Sequence, residues 1–236
     1  MRKICSIFIY VYQHDKFSYK LWSNKGVFLM TRIKDAADAV AAAIIAQKDY
    51  LTSLDAKIGD GDHGLNMARG FRAAQEAIEE MDDTTKPGPV LKAIGKALIQ
   101  NVGGAAGPLY GAGFIKAGEA CDDDTHLNIA SMEKLLRAAI EAIQKRGRAE
   151  KGDKTMLDTL IPVHECFLPE NAEGKPLFEV LQEASKAAGE GVNYTKTIAA
   201  RKGRASLLGE RSIGYEDPGA VSSMLMYRAL YQFLKV

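Results

Sequence analysis

An all-α fold, with about eight helices arranged as an antiparallel bundle or barrel, is predicted by this 236-residue sequence on three observations. Helix-favouring segments follow one another from residue 34 onward, their apolar residues stepping by three and four. Alternating runs rich in Val, Ile and Thr, the mark of half-buried strands, are missing beyond residue 30. Glycine collects instead in four polar, turn-rich junctions: Gly59 to Gly64, Gly103 to Gly113, Gly147 to Gly152 and Gly203 to Gly219.

Taken in order, residues 34–53 are Ala-rich and helix-favouring. Helical patterns then cover about 65–81, 88–101 and 107–121, the last with Pro108 in its first turn, where a missing N–H costs nothing. Over 128–147 the apolar positions Ile129, Met132, Leu135, Leu136, Ala139, Ile140 and Ile143 make one helix face, ended by Gly147. Patterns at 155–167 and 176–199 follow, and Asp217-Pro218 opens a helix over 218–235 as N-cap and first residue. These eight segments and their short connections suit a layered helical fold.

Composition narrows the function. Hydrophobic residues at 47% and charged residues at 26% provide a core without the signature of disorder. Thirty-one basic against 30 acidic side chains argue against a nucleic-acid or membrane-surface binder. Three scattered cysteines with no CxxC point to a reducing cytoplasm and exclude a disulfide framework. No apolar run approaches the ~18 residues of a membrane span.

Residues 1–29 differ from the rest. They hold seven of the 18 aromatic residues and five basic side chains against Asp15 alone. Their apolar stretch is short, aromatic and without a small-residue cleavage site, so a signal peptide is not expected. Met30-Thr31 reads as a natural start, which divides the chain into an extension, 1–29, and a helical domain, 30–236.

Several motifs mislead. Gly59 to Gly64 satisfies G-x-G-x-x-G, but two aspartates lie inside the loop and a helical pattern precedes it, so no dinucleotide fold is predicted. Gly147 to Thr155 approximates a phosphate-binding P-loop, but Asp153 separates Gly152 from Lys154 and no strand leads in. Calcium loops starting at Asp60 or Asp122 fail at the glycine or glutamate positions.

A hard-metal site serving phosphates remains. Asp55, Asp60 and Asp62 fall within eight residues of a glycine-rich joint. Crowded carboxylates repel unless a cation neutralises them, and oxygen-only donors favour Mg²⁺, Mn²⁺ or Ca²⁺. Helix capping is the competing explanation for each aspartate taken singly. Gly103 to Pro108 places free backbone N–H groups at a helix N-terminus, which suits an anion, although close helix packing explains its small residues as well. Lys202, Arg204 and Arg211 sit beside glycines in a polar loop that could meet phosphate. For Asp217 to Gly219, capping alone is the simpler account.

LDAKIGDGDHGLNMARGF (Leu54 to Phe71), NVGGAAGPLYGAGF (Asn101 to Phe114), GDKTMLDTL (Gly152 to Leu160) and GRASLLGERSIGYEDPGAVSS (Gly203 to Ser223) resemble the nucleotide-binding subunits of dihydroxyacetone kinase, the DhaL family, over about 30–236. Ala106 departs from the serine expected there, which removes a hydroxyl but not the backbone donors. The resemblance implies an eight-helix barrel with ADP at one end. Asp55, Asp60 and Asp62 match ligands of two Mg²⁺ ions, and His63, Gly64, Leu65, Asn66, Gly104, Ala105, Gly147, Met156, Arg204, Asp217, Pro218 and Gly219 match nucleotide contacts. No catalytic side chain is expected on this chain.

By the same resemblance the chain works in the cytoplasm as a separate subunit, because 29 residues are too few for a preceding substrate domain. Retained ADP would accept a phosphoryl group from a phosphohistidine-carrying phosphotransferase-system subunit, and ATP would pass it to dihydroxyacetone on a second kinase subunit. Two alternatives stay open: a kinase subunit using exchangeable ATP, and a module whose nucleotide state is read by a transcriptional regulator.

Overall fold

The computed structural model describes residues 33–235, so the expectation for residues 1–29 lies outside the described residues. The described residues form helices α1 (Ile33–Ala46), α2 (Lys48–Ile58), α3 (His63–Glu79), α4 (Pro87–Asn101), α5 (Ala106–Ala120), α6 (Ile129–Gly147), α7 (Leu157–Glu165), α8 (Pro169–Ala172), α9 (Leu177–Thr195) and α10 (Pro218–Lys235), with a 3₁₀ segment at Arg204–Ser212. No strand occurs among the described residues.

The sequence-derived segments are all present, with adjusted ends. The Ala-rich stretch is one interrupted helix: Gln47 (φ −96°, ψ 14°) offsets α2 from α1 while the hydrogen bond from Leu51 N–H to Gln47 O carries the chain through at 2.9 Å. The third helix begins two residues early, at His63. Asp62, its N-cap, makes no side-chain cap bond; the Asp55 carboxylate from α2 accepts the first N–H groups instead. In α6 the Asn128 side chain caps Ser131 N–H at 2.9 Å, and the left-handed residue past the end is Arg148 (φ 49°), not Gly147. Gly147 serves another purpose, since a Cβ there would press on Leu109 at 3.2 Å. The ninth helix stops at Thr195, four residues before the expected end, where the polar segment 196–216 begins.

Neighbouring elements pack in the order α1, α3, α4, α5, α6, α7, α9, α10, and α10 returns to pack on α1. The helices therefore close a ring, with α2 extending α1 and α8 lying in the α7–α9 connection. The tightest seam joins α4 to α5. A Cβ on Gly95 or Gly111 would approach the other residue's carbonyl oxygen to 2.7 Å, so only glycine allows this spacing. Inside the ring Phe71 and Phe114 meet edge to face with centroids 6.5 Å apart. Fully buried Leu98, Leu157, Val163 and Val180 fill the spaces between helices.

The connections α2–α3, α4–α5, α6–α7 and α9–α10 all open on one cleft, whose lining includes Gly59, Gly104, Gly147 and Gly203. The four glycine-rich junctions thus meet at one end of an up-and-down ring, and that end carries the site.

Candidate functional site

Alternation of up and down helices brings four N-termini to the cleft: His63 of α3, Ala106 of α5, Leu157 of α7 and Pro218 of α10 line a space of about 290 Å³. Each helix N-terminus presents N–H groups without a partner inside the helix and the positive end of its dipole, which makes the cleft receptive to anions.

Asp55, Asp60 and Asp62 lie on the same cleft, with one carboxylate oxygen of each within 4.8 Å of the others. The Asp55 carboxylate is fixed, because Oδ2 accepts Asp62 N–H at 2.9 Å and His63 N–H at 3.1 Å. Asp60 pairs with Arg204 Nε at 2.9 Å; the arginine side chain is 68% exposed, so the pair contributes little stability and either partner is free to change contact. Three carboxylates at this separation, with no cysteine or histidine donor among them, form the oxygen set that a hard divalent cation takes. Capping and metal binding are compatible here, since Asp55 caps α3 through Oδ2 and leaves Oδ1 available.

His63 is held from behind: its Nε2 lies 3.1 Å from Ser222 Oγ on α10. Burial pushes its imidazole below the ordinary value, opposed by the Asp55 and Asp62 carboxylates, so the ring is neutral at physiological pH. Ser222 also meets the buried Tyr110 hydroxyl at 2.8 Å, which donates to Gly219 O at 2.8 Å. Burial raises the Tyr110 pKa, keeping the phenol protonated. This polar cluster joins α3, α5 and α10 beneath the cleft.

Asp217 performs two tasks. Its Oδ2 accepts Ala220 N–H at 2.7 Å as the N-cap of α10, and the residue lines the cleft. Burial first, then the Asp158 and Asp55 charges, push its carboxyl up to about 7, against the opposing Ala220 hydrogen bond and the Lys154 charge. Besides the acidic group the cleft lining includes apolar Leu109, Ile143, Ala149, Met156 and Leu157, together with Gly103 to Ala105. A ligand with a flat apolar end and a polyanionic end matches this lining. Gly104 (φ 65°) would have nothing within 4 Å of an added Cβ, which leaves its backbone open to such a ligand.

The expected residues Asp55, Asp60, Asp62, His63, Asn66, Gly104, Ala105, Gly147, Met156, Arg204, Asp217, Pro218 and Gly219 all line this cleft. Gly64 and Leu65 do not. Gly64 faces α2, where a Cβ would stand 2.0 Å from Lys48 O, and the Leu65 side chain is 51% exposed. Sequence reasoning missed Ser222 and Lys154. Ser222 gave no local signal, whereas Lys154 stood inside a loop set aside as a false P-loop.

The DAK2 domain family matches residues 57–232. Over 184 residues the chain is 43% identical to the PEP-dependent dihydroxyacetone kinase, ADP-binding subunit DhaL, of Escherichia coli K12, covering 78% of this chain and 87% of that protein. It is 38% identical to the PTS-dependent dihydroxyacetone kinase, ADP-binding subunit DhaL, of Lactococcus lactis, over 78% of this chain and 88% of that protein. The fold is similar to the crystal structure of the dihydroxyacetone kinase from C. freundii in complex with AMP-PNP and Mg²⁺, with a TM-score of 0.67 at 23% identity. That alignment covers 94% of this chain but 38% of the larger kinase.

Proposed function

The chain belongs to the DAK2-domain family, alongside the ADP-binding DhaL subunits, and from that premise we propose that it is the nucleotide-binding subunit of a phosphotransferase-system-dependent dihydroxyacetone kinase. The observation that carries this reading is the convergence of four helix N-termini and three carboxylates on one cleft whose lining also includes apolar side chains.

In this reading Asp55, Asp60 and Asp62 hold two Mg²⁺ ions, with Asp55 kept in place by the N–H groups of Asp62 and His63. Backbone donors at Gly104 and Ala105 and the N-termini of α3 and α5 receive the phosphates. Arg204, paired with Asp60 in this structure, would offer planar donors suited to a bidentate phosphate contact. Neutral His63, steadied by Ser222, lies along the nucleotide as a hydrogen-bonding group. Leu109, Gly147, Ala149 and Met156 of the lining take the purine. Mg-ADP held there would supply the phosphoryl acceptor, and its Mg²⁺ would neutralise charge on the transferring group.

The donor in this account is a phosphohistidine-carrying subunit, and the acceptor is dihydroxyacetone on a second kinase subunit, which gives dihydroxyacetone phosphate. The acceptor hydroxyl is activated on that other subunit, so no general base is needed here. The nucleotide-binding domain comprises residues 30–236. Among the described residues no helix is long and apolar enough to cross a membrane.

Reconstitution with both partner subunits tests the reading. Replacing Asp60 and Asp62 together by Asn should abolish phosphoryl transfer to dihydroxyacetone. Activity that survives the double change would refute the metal site.

A further inference from the structure

Lys154 is 1% exposed, a charged side chain enclosed at the foot of the cleft. A buried ammonium is costly unless its three N–H donors are all satisfied. Here Nζ donates to the carbonyls of Thr195, of Ile198 at 3.3 Å and of Tyr215 at 2.7 Å. Its donors are thereby used up on backbone carbonyls, so Lys154 has none left for a phosphate. The P-loop likeness of its segment is therefore coincidental in role as well as in spelling.

The three carbonyls have one thing in common. Thr195 and Ile198 stand where the polar strap 196–216 leaves α9, and Tyr215 stands where it returns to α10. Between those ends Gly214 N–H donates to Lys196 O at 2.8 Å, and Ala200 N–H donates to Ser212 Oγ at 2.8 Å. Arg201 N–H reaches Asp153 O at 3.0 Å, next to Lys154 itself. The strap carries Arg204 to within 2.9 Å of Asp60. On the other side, Lys154 is presented by a turn in which Asp158 accepts Gly152 N–H at 2.6 Å and Thr155 N–H at 2.8 Å. The fully buried Asp158 fixes that turn, and Lys154 takes a left-handed φ of 61° in it.

We propose that Lys154 is a positioning residue: its ammonium clasps both ends of the 196–216 strap and so sets Arg204 over the acidic loop. Lys154 touches neither nucleotide nor metal in this account. It also explains why α9 stops at Thr195, since the Thr195 and Ile198 carbonyls are taken by a side chain. The proposal rests on the reading of the cleft as a Mg-nucleotide site, and its test separates the two.

The experiment is a double-mutant cycle on the full chain, with Mg-ADP affinity measured by calorimetry for wild type, Lys154→Met, Arg204→Ala and the pair. Methionine keeps an unbranched side chain one atom shorter and the left-handed backbone strain while removing the ammonium. Each single change should weaken binding roughly tenfold, and the pair should be weaker than the worse single by no more than about threefold, the non-additivity of coupled residues. Losses that multiply in full, or a Lys154→Met chain that binds as wild type does, would overturn the clasp while leaving the nucleotide site intact. A wild-type chain that does not bind Mg-ADP would instead remove the reading on which the clasp rests. Lys154→Gln, which keeps amide donors without a buried charge, carries the same cycle if Lys154→Met does not fold. Failure of both to fold, with Arg204→Ala folded, would make Lys154 a determinant of the fold and not of the site, against the proposal.

Discussion

The carboxylate of Asp55, near the end of α2, accepts the backbone N–H of Asp62 at 2.9 Å, so one expected metal ligand braces the loop that holds the other two. The same Oδ2 reaches His63 N–H at 3.1 Å and thereby caps α3. The three aspartates are consequently unequal. Asp55 shapes the loop, whereas Asp60 lies at the surface and pairs with exposed Arg204.

That inequality predicts different costs in metal-free protein. Asp55→Ala removes the side chain that caps α3 and should destabilise by about 1 kcal/mol, typical of a lost helix cap. Asp60→Ala should stay within about 0.5 kcal/mol of wild type, since it relieves carboxylate repulsion as it loses a weak surface pair. Urea unfolding of both variants, with and without Mg²⁺ and ADP, checks this. The extra stability that the ligands confer should vanish in both.

Helix spacing gives a second expectation. A Cβ on Gly111 would lie 2.4 Å from Ile99 Cγ1 and 2.7 Å from Gly95 O, and a backbone carbonyl cannot step aside as a side chain can. Gly111→Ala should cost about 1–3 kcal/mol by forcing α4 and α5 apart, seen as a lower Tm.

Asp217 sets a pH dependence. Its carboxyl is pushed from 3.8 up to about 7 in the folded chain, chiefly by burial. Between those values the native chain keeps a proton that the unfolded chain has released. Stability from this group is therefore present at low pH and lost as pH rises toward 7. In nucleotide-free protein, wild type should lose stability from about pH 4 to about pH 7 relative to Asp217→Asn, which retains a good cap. Parallel pH profiles for the two proteins would contradict this origin of the shift.

Residues 33–235 close their ring by packing α10 on α1. A chain beginning at Met30 should accordingly fold and bind Mg-ADP as the full chain does. A large drop in Tm on that truncation would show that residues 1–29 belong to the fold.

Much of the architecture was legible because periodicity is local. Segments such as 128–147 declared themselves by apolar steps of three and four, and the glycine-rich junctions marked where they end. The offset at Gln47 carried no signal, because an Ala-rich stretch without Gly or Pro gives no reason to interrupt a helix. The closure of α10 on α1 depends on side chains far apart in sequence, which periodicity does not report. Asp55, Asp60 and Asp62 were legible as a group because three carboxylates within eight residues need a common explanation. The 3₁₀ segment at Arg204–Ser212 read as plain loop, since its turns follow from Gly203 (φ 65°) and Gly209 (φ 55°) and from the bonds that tie the strap together. Lys154 was illegible as a clasp for the same reason: its partners are backbone carbonyls of a distant segment, and any residue type supplies a carbonyl.

Native mass spectrometry of the purified chain, with no nucleotide added, tests the central claim most directly. A mass increment equal to ADP plus two Mg²⁺ is the result expected of a subunit that keeps its nucleotide between phosphoryl transfers. An empty chain that then binds neither Mg-ADP nor Mg-ATP would contradict the assignment of the cleft.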